Sequence, residues 1–377
     1  MESILKNIKI QGIHFNQDYT NYAMNRQKNI MKWCNKNKID CCVYEDYLLS
    51  KIGTFNKKDN TVYGVYGPFK NNVYSNIGEI SLPKNTFVSS ITTSSSIRYS
   101  NFYIPIKSIT KFYELNPNKL VLGNIKDALK LLRKTTNMNY EDNRNDMTFT
   151  TSLLSAYIKY GILSIRDVFH YFQKNKQYDL SDQLIWREFY FYVCYYNPDI
   201  LKYSKNYNSK YDKIVWVNNK KHYKAWCEGN TGYPIIDACI KQLNTTGYMH
   251  NRGRLISANF LNRILGMDWR LGEKYFANKL TDYDPCVNNG NWQWIASTGV
   301  DTKPYFQRLF NPWLQSKKFD VEALYIKKWI PELKDIPPKH IHEWNKYYQE
   351  HSDIDYPKPI VEHNIQRKKA LELFKNL

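Results

Sequence analysis

"TDYDPCVNNGNWQW", residues 281–294, is the stretch on which the reading of this chain turns. Two acids, Asp282 and Asp284, bracket a tyrosine. Asn288 follows, then a glycine and two tryptophans, Trp292 and Trp294, one residue apart. A hydrophobic core has little use for acids, amides and indoles at this density, because each buried polar group needs a partner. If the segment is locally extended, alternate side chains point to opposite sides, so the two indoles serve different neighbours.

Upstream, "GYMHNRGRLISANFL" (247–261) reads as a helix. Spacings of three, four and seven then put Asn251, Arg254, Leu255 and Ala258 on one face. A guanidinium on a buried face needs an anion, and Asp282, just after the next helix, is placed to supply it. Arg252 points elsewhere, towards solvent or a phosphate. The plainer alternative is a solvated arginine pair.

Working outward, Asn251–Leu265 and Trp269–Leu280 read as helices separated by Gly266. Pro234 suits the first turn of a preceding helix and Gly247 its end. "LIWREFYFYVCYY" (184–196) is apolar or aromatic nearly all round and stops at Asn197–Pro198, so a buried helix is expected. Ser164 is in place to cap a helix through Arg166–Gln173. Nearer the start, residues 8–15 alternate like a strand and residues 19–38 form a basic helix. "DCCVYEDYLL" returns to a strand and turn, making one βαβ-like unit. Residues 75–120, rich in Ser, Thr, Asn and Pro, read as a surface linker. There is no repeat, P-loop or GxGxxG motif.

The 377 residues are 42% hydrophobic, enough for a sizeable core, and no run of apolar residues is long enough to cross a membrane. The first residues, MESILKNIKI, lack the apolar stretch of a secretory signal. Seven cysteines without a CxxC spacing imply reduced thiols in a cytoplasmic or nuclear compartment, with no disulfide framework and no metal site. The net charge of +19 favours a polyanionic partner such as nucleic acid, although Lys and Asn are abundant throughout. Aromatics reach 16%, including 10 Trp, a composition suited to stacking bases or a flat cofactor. His340 and His342 read as surface histidines. No Ser–His–acid or Cys–His constellation stands out. Trp216, Trp269 and Trp292, each in a different segment, read from pattern alone as three core indoles.

From about residue 140 onward the chain resembles the photolyase/cryptochrome family. The resemblance is carried by "TSLLS" (151–155), "LIWREFY" (184–190), "GYPIIDACIKQLNTTGYMHNRGRL" (232–255), "DWRLGEKYF" (268–276), "DYDPCVNNGNWQWIASTG" (282–299), "RLFNP" (308–312) and "DYPKPIVEH" (355–363). "HFNQDY" and "YGVYGPFK" are similar to the second half of the family's α/β domain, whose first half does not appear. The implied fold is a partial Rossmann-like α/β domain (1–74), a long interdomain linker (75–139) and a mostly helical FAD-binding and DNA-binding domain (140–377). The shortened α/β part removes much of the site for an antenna chromophore of folate or deazaflavin type. It also leaves an unfinished parallel sheet, which a second polypeptide would complete; otherwise a monomer is expected.

The resemblance implies noncovalent FAD. Thr151, Ser152, Leu154 and Ser155 match the phosphate-side motif, with Leu153 replacing a frequent Arg. Tyr140 and Arg144 match an upstream flavin-side Tyr and DNA-side Arg, at a spacing that differs by one residue. Arg254, Asp282 and Asp284 match the ribityl and isoalloxazine region, and Asn288 the residue facing flavin N5. Trp292, Trp269 and Trp216 coincide with the electron chain leading from flavin to surface.

For the lesion, Trp186 and Trp294 match the indoles walling the pocket for a flipped pyrimidine dimer. Photolyases are among the enzymes that take a target base out of the stack before acting on it. Asn251 and Leu255 stand where (6-4) photolyases use His, and Gly253 resembles the DASH type. Gln183 replaces the Glu of cyclobutane-dimer enzymes. Arg144, Arg252 and Gln315 match contacts to the DNA backbone. The implied activity is light-driven repair of cyclobutane pyrimidine dimers in ultraviolet-damaged DNA, in the cytoplasm or nucleus. The alternatives are a cryptochrome-like photoreceptor without repair and one half of a split photolyase.

Overall fold

The computed structural model describes residues 10–83, 108, 111–202, 204–304, 307 and 309–374. Much of the expected linker, including "SSITTSSS", lies outside them, as do the first residues of the expected opening strand and Arg308 of "RLFNP".

The N-terminal unit is β1 (Gly12–Asn16), α1 (Asn21–Lys36) and β2 (Asp40–Tyr44). The strands pair in parallel, Gly12 opposite Asp40 and Phe15 opposite Val43, as the βαβ reading expects. Thr20 caps α1 by accepting from the Ala23 amide. Among the described residues the sheet has only these two strands.

All further helices of eight residues or more, among those described, are labelled in order. They are α2 (Tyr66–Ser75), α3 (Ile125–Lys134), α4 (Ile165–Lys174), α5 (Tyr178–Tyr196), α6 (Lys220–Glu228), α7 (Pro234–Thr246), α8 (Asn251–Asn259), α9 (Trp269–Lys279), α10 (Pro285–Ala296), α11 (Pro312–Phe319) and α12 (His363–Glu372). Their termini follow capping chemistry. Pro234 opens α7 and Gly247 ends it at φ 70°. His250, Asp268, Asp284 and Asn311 cap α8, α9, α10 and α11 through their side chains. Ser164 precedes α4 but makes no side-chain cap bond. Its hydroxyl is taken by Asp46, which also pairs with Arg166, so a tertiary partner outcompetes the local one. The helix expected over Asn251–Leu265 is α only as far as Asn259 and continues as a π-helical turn over Phe260–Ile264.

Two apolar clusters dominate. One joins α7, α8, α9 and α10 with the C-terminal segments, around Trp226, Trp269, Trp292 and Trp344. The other joins α2, α3, α4 and α5 around Phe69, Phe169 and Phe189. Leu49, Phe55, Phe69 and Val73 from the N-terminal part share that second core with α5. Helix α10 lies between the two, and two glycines permit its close packing. A Cβ at Gly290 would overlap the Tyr190 ring of α5; one at Gly272 of α9 would overlap the Trp292 indole of α10.

His342 is not at the surface. It is 4% exposed, its Nδ1 bonded to the Ser316 hydroxyl and its Nε2 to the Val321 carbonyl. The "HIH" motif is helical, so His340 and His342 face different ways, and only His340 reaches the partly exposed side.

Candidate functional site

The Thr281 amide donates to the Gly247 carbonyl at 2.8 Å, tying the end of α9 to the end of α7. This brings Asp282 against α8. Arg254 Nη2 lies 2.9 Å from one Asp282 oxygen and 3.1 Å from the other, and its Nε donates to the Met249 carbonyl. Burial acts to lower the Arg254 pKa, but the Asp282 charge and the neighbouring Tyr248 more than offset it, so the group stays charged. Ser155 Oγ donates to the same carboxylate at 2.7 Å. Tyr248, under the Arg254 guanidinium, meets the Thr151 hydroxyl at 3.0 Å. Thr151, Tyr248, Arg254, Asp282 and Ser155 therefore form one connected polar network.

The backbone between Thr151 and Ser155 is unusual. Leu153 has φ 55°, a left-handed conformation that a branched side chain rarely adopts, and Leu154 returns to the right-handed region. Successive left- and right-handed residues turn adjacent N–H groups to one side, the geometry of an anion nest. Ser152 sits beside it, half-buried.

Asp284 is used differently from Asp282. One oxygen accepts from the Cys286 and Val287 amides and so starts α10. The other accepts from Tyr47 at 2.9 Å and pairs with Lys159 at 3.1 Å. Lys159 and Tyr47 did not emerge from the sequence. Lys159 lies four residues after Ser155 on a short helix, a spacing that could have marked it. Tyr47 comes from the turn after β2 and carries no local signal.

From Pro285 onward the opening stretch is not extended but forms the helix α10. Trp292 and Trp294 still face different ways, because two residues turn a helix by roughly 200°. Trp292 is 2% exposed, against Phe276 and Trp226, whereas Trp294 is half-buried. Asn288 Nδ2 donates to the carbonyl and carboxylate of Glu273 at 3.0 and 2.9 Å, which fixes the amide and turns its Oδ1 elsewhere. Burial raises the Glu273 pKa, and the Asn288 bond opposes the shift.

Trp269 is fully buried, its indole N–H on Asn206 at 2.9 Å and Arg270 over its ring. Trp216 is half-buried against the edge of Phe374. On α5, Gln183 Nε2 donates to the Asp179 carbonyl, and Trp186 stacks on Tyr66. Asn251 is exposed and Leu255 half-buried at the start of α8.

Arg252 is not free in solvent. It donates to Asn145 and lies over the Phe319 ring. Burial, then the charge of Arg144, lowers its pKa. Arg144 itself is exposed, over the Tyr140 ring. Gln315 is half-buried on α11. His250 accepts the Arg252 amide on Nδ1, and burial together with Arg252 and Arg254 pushes its pKa down to about 4. Among the described residues no group of three or more His, Cys, Asp or Glu is placed to hold a metal, and no helix is long and apolar enough to cross a membrane.

The family model for the FAD binding domain of DNA photolyase matches residues 180–376, and that for DNA photolyase matches residues 1–85. The chain is 38% identical to the deoxyribodipyrimidine photo-lyase of Escherichia coli strain K12, over 89% of this chain and 72% of that one. It is 37% identical to the enzyme of the same name from Buchnera aphidicola subsp. Acyrthosiphon pisum, over 98% and 78%. A crystal structure of an archaeal photolyase from Sulfolobus tokodaii with two FAD molecules superposes with a TM-score of 0.79 at 37% identity, covering 96% of this chain and 78% of that one. This chain belongs to the DNA photolyase family.

Proposed function

We propose that this protein repairs cyclobutane pyrimidine dimers in ultraviolet-damaged DNA, using light and a noncovalent FAD. The carrying observation is the polar network around Asp282 together with two half-buried indoles, Trp186 and Trp294, on helices α5 and α10 that pack against each other. The relatives named deoxyribodipyrimidine photo-lyase support the same reading. We further propose the division into 1–74, 75–139 and 140–377.

The residues present fit FAD. The nest at Leu153–Leu154, with the hydroxyls of Thr151 and Ser152, offers N–H and O–H donors for a pyrophosphate, and Ser155, whose own O–H is given to Asp282, would line the same cradle. Arg254, Asp282 and the Oδ1 of Asn288 would meet the polar edge of the ring system, and Tyr140 would border it. Asp284 would act by fixing Lys159 and the start of α10. Reduced FAD, when bound, would supply on illumination the single electron that opens the cyclobutane ring.

The chain's own residues do the rest. Trp186 and Trp294 offer flat apolar faces to the flipped bases, each stacking contact being worth roughly 1–3 kcal/mol. Asn251 and Leu255 would border the same pocket. Gln183 offers a donor and an acceptor but no transferable proton. Burial and then the neighbouring Arg144 charge disfavour the charged form of Arg252, which a bound phosphate would relieve; Arg144 and Gln315 would join it at the DNA backbone. Trp292 and Trp269 are buried and Trp216 half-buried, an order of burial that would suit passage of an electron from the core to the surface.

Gln183 favours a second reading, a flavin photoreceptor without repair, because it replaces the expected acid. Purified, reduced protein should remove thymine dimers from irradiated DNA only in light. Bound FAD with intact flavin photoreduction but no dimer loss would select the photoreceptor instead. Nothing in the comparisons supports a second polypeptide.

A further inference from the structure

We propose that Tyr66 is a positioning residue for the lesion wall: helix α2, from the N-terminal part, holds the Trp186 indole in the plane that receives the damaged bases. The inference rests on the repair reading above and adds a residue and a reason for keeping this helix.

Three side chains of α2 at spacings of four, Tyr66, Lys70 and Tyr74, share one face. All three bind Asp182 on α5. Tyr66 Oη donates to its carbonyl at 2.9 Å, Lys70 Nζ pairs with its carboxylate at 3.0 Å, and Tyr74 Oη donates to its other carboxylate oxygen at 2.8 Å. Asp182 sits beside Gln183 and one turn before Trp186. One acidic residue thus fixes the register of the helix carrying both proposed lesion-facing groups.

The ring contact completes the latch. Tyr66 and Trp186 stack with centroids 3.5 Å apart and planes 9° from parallel. Tyr66 cannot swing out as a plug would. It is 8% exposed, its edge meets Phe189, and Phe69 and Val73 of the same helix are fully buried. Trp186, by contrast, remains half-buried. A flat ring backed by an immobile one is already ordered when a base arrives, and ordering one such side chain on binding would weaken association by roughly three- to tenfold.

The test uses full-length, FAD-loaded protein carrying Tyr66→Leu, Tyr66→Ala or Tyr66→Phe. Binding is measured to a duplex with one cyclobutane thymine dimer and to the same duplex undamaged. Tyr66→Leu and Tyr66→Ala should weaken dimer binding about three- to tenfold and leave undamaged binding and flavin content unchanged. Tyr66→Phe, which keeps the ring, should restore the dimer preference. A Tyr66→Leu protein with the parent's preference overturns the latch. So does a parallel loss of both affinities with loss of flavin, which marks a merely structural role. A parent protein with no dimer preference refutes the repair reading itself.

Discussion

Asp282 accepts hydrogen bonds from both Arg254 and Ser155, 28 residues before it and 127 residues before it in the chain. One carboxylate thus joins α8 to the loop that carries the proposed phosphate cradle. Removing its charge should release both. Asp282→Asn keeps the shape but weakens the Arg254 pair, so FAD should be lost from the purified protein, read as the flavin-to-protein absorbance ratio. Arg254→Ala leaves Asp282 without its cation and should cost stability, by less than the roughly 3–5 kcal/mol of a fully buried pair because Arg254 is 26% exposed. Full FAD retention in Asp282→Asn would remove Asp282 from the site.

Gln183 lies three residues before Trp186 on α5, so the two share a face. Its amide donates backward to Asp179, and a glutamate there could instead offer a proton to a charged lesion. Gln183→Glu should raise dimer repair per absorbed photon while leaving affinity for dimer-containing DNA within about twofold, a smaller shift than the roughly tenfold that 1.4 kcal/mol would give. An unchanged or lower yield would show that the amide is not what limits this chain.

Much of the helical part was legible because its signals are local. Pro234, Gly247 and the apolar run at 184–196 each act within a few residues: α7 starts at Pro234 and ends at Gly247, and α5 stops at Tyr196 before Asn197–Pro198, although it starts at Tyr178, ahead of the run. The Arg254–Asp282 pair was also legible, because helical spacing put a guanidinium on a packed face that demanded an anion. Partners brought by distant loops were not. Tyr47 from a turn reaches Asp284 and Asn145 reaches Arg252 with no sequence pattern at the receiving residue, while Lys159 and Glu273, which sit on helices, reach Asp284 and Asn288 from other segments and only the Ser155–Lys159 spacing gave a hint. Ser164 shows the converse: a good local cap signal lost to Asp46 from another segment. The extended conformation entertained for 281–294 does not hold from Pro285 onward, because Asp284 and Pro285 together make a helix start. An acid with two plausible uses, capping and chemistry, does not announce locally which one it serves.

Gly272 and Trp292 test the packing of α9 on α10. A methyl group at Gly272 would overlap the outer indole carbons of Trp292 and a methyl of Leu261. Gly272→Ala should therefore destabilise by about 1–3 kcal/mol, measured by urea unfolding, despite the better helix propensity of alanine. Adding Trp292→Phe removes the overlapping atoms, so the double variant should be more stable than the sum of the two single effects. Strict additivity would mean that the strain is relieved elsewhere.

Glu188 gives a pH test of how the N-terminal part is held. It is fully buried on α5 and accepts the Leu49 amide at 3.0 Å. Burial raises its pKa to about 7, with the amide bonds and Arg187 only partly opposing. The folded protein therefore binds more protons at this site than the unfolded chain between about pH 4.5 and about pH 7. Stability from this group is fully present below the lower value and is lost as pH rises through the upper one, by up to about 3 kcal/mol. Glu188→Gln removes that loss, since an amide oxygen can still accept from Leu49. Relative to the parent, the variant should gain stability at about pH 8 and show little difference near pH 4, where both side chains are neutral. His250, whose pKa is pushed down to about 4, contributes the opposite slope over its own range, but it is present in both proteins and drops out of the difference. A stability difference that does not change with pH would mean that Glu188 stays ionised in the folded protein, held by its hydrogen bonds rather than neutralised by burial.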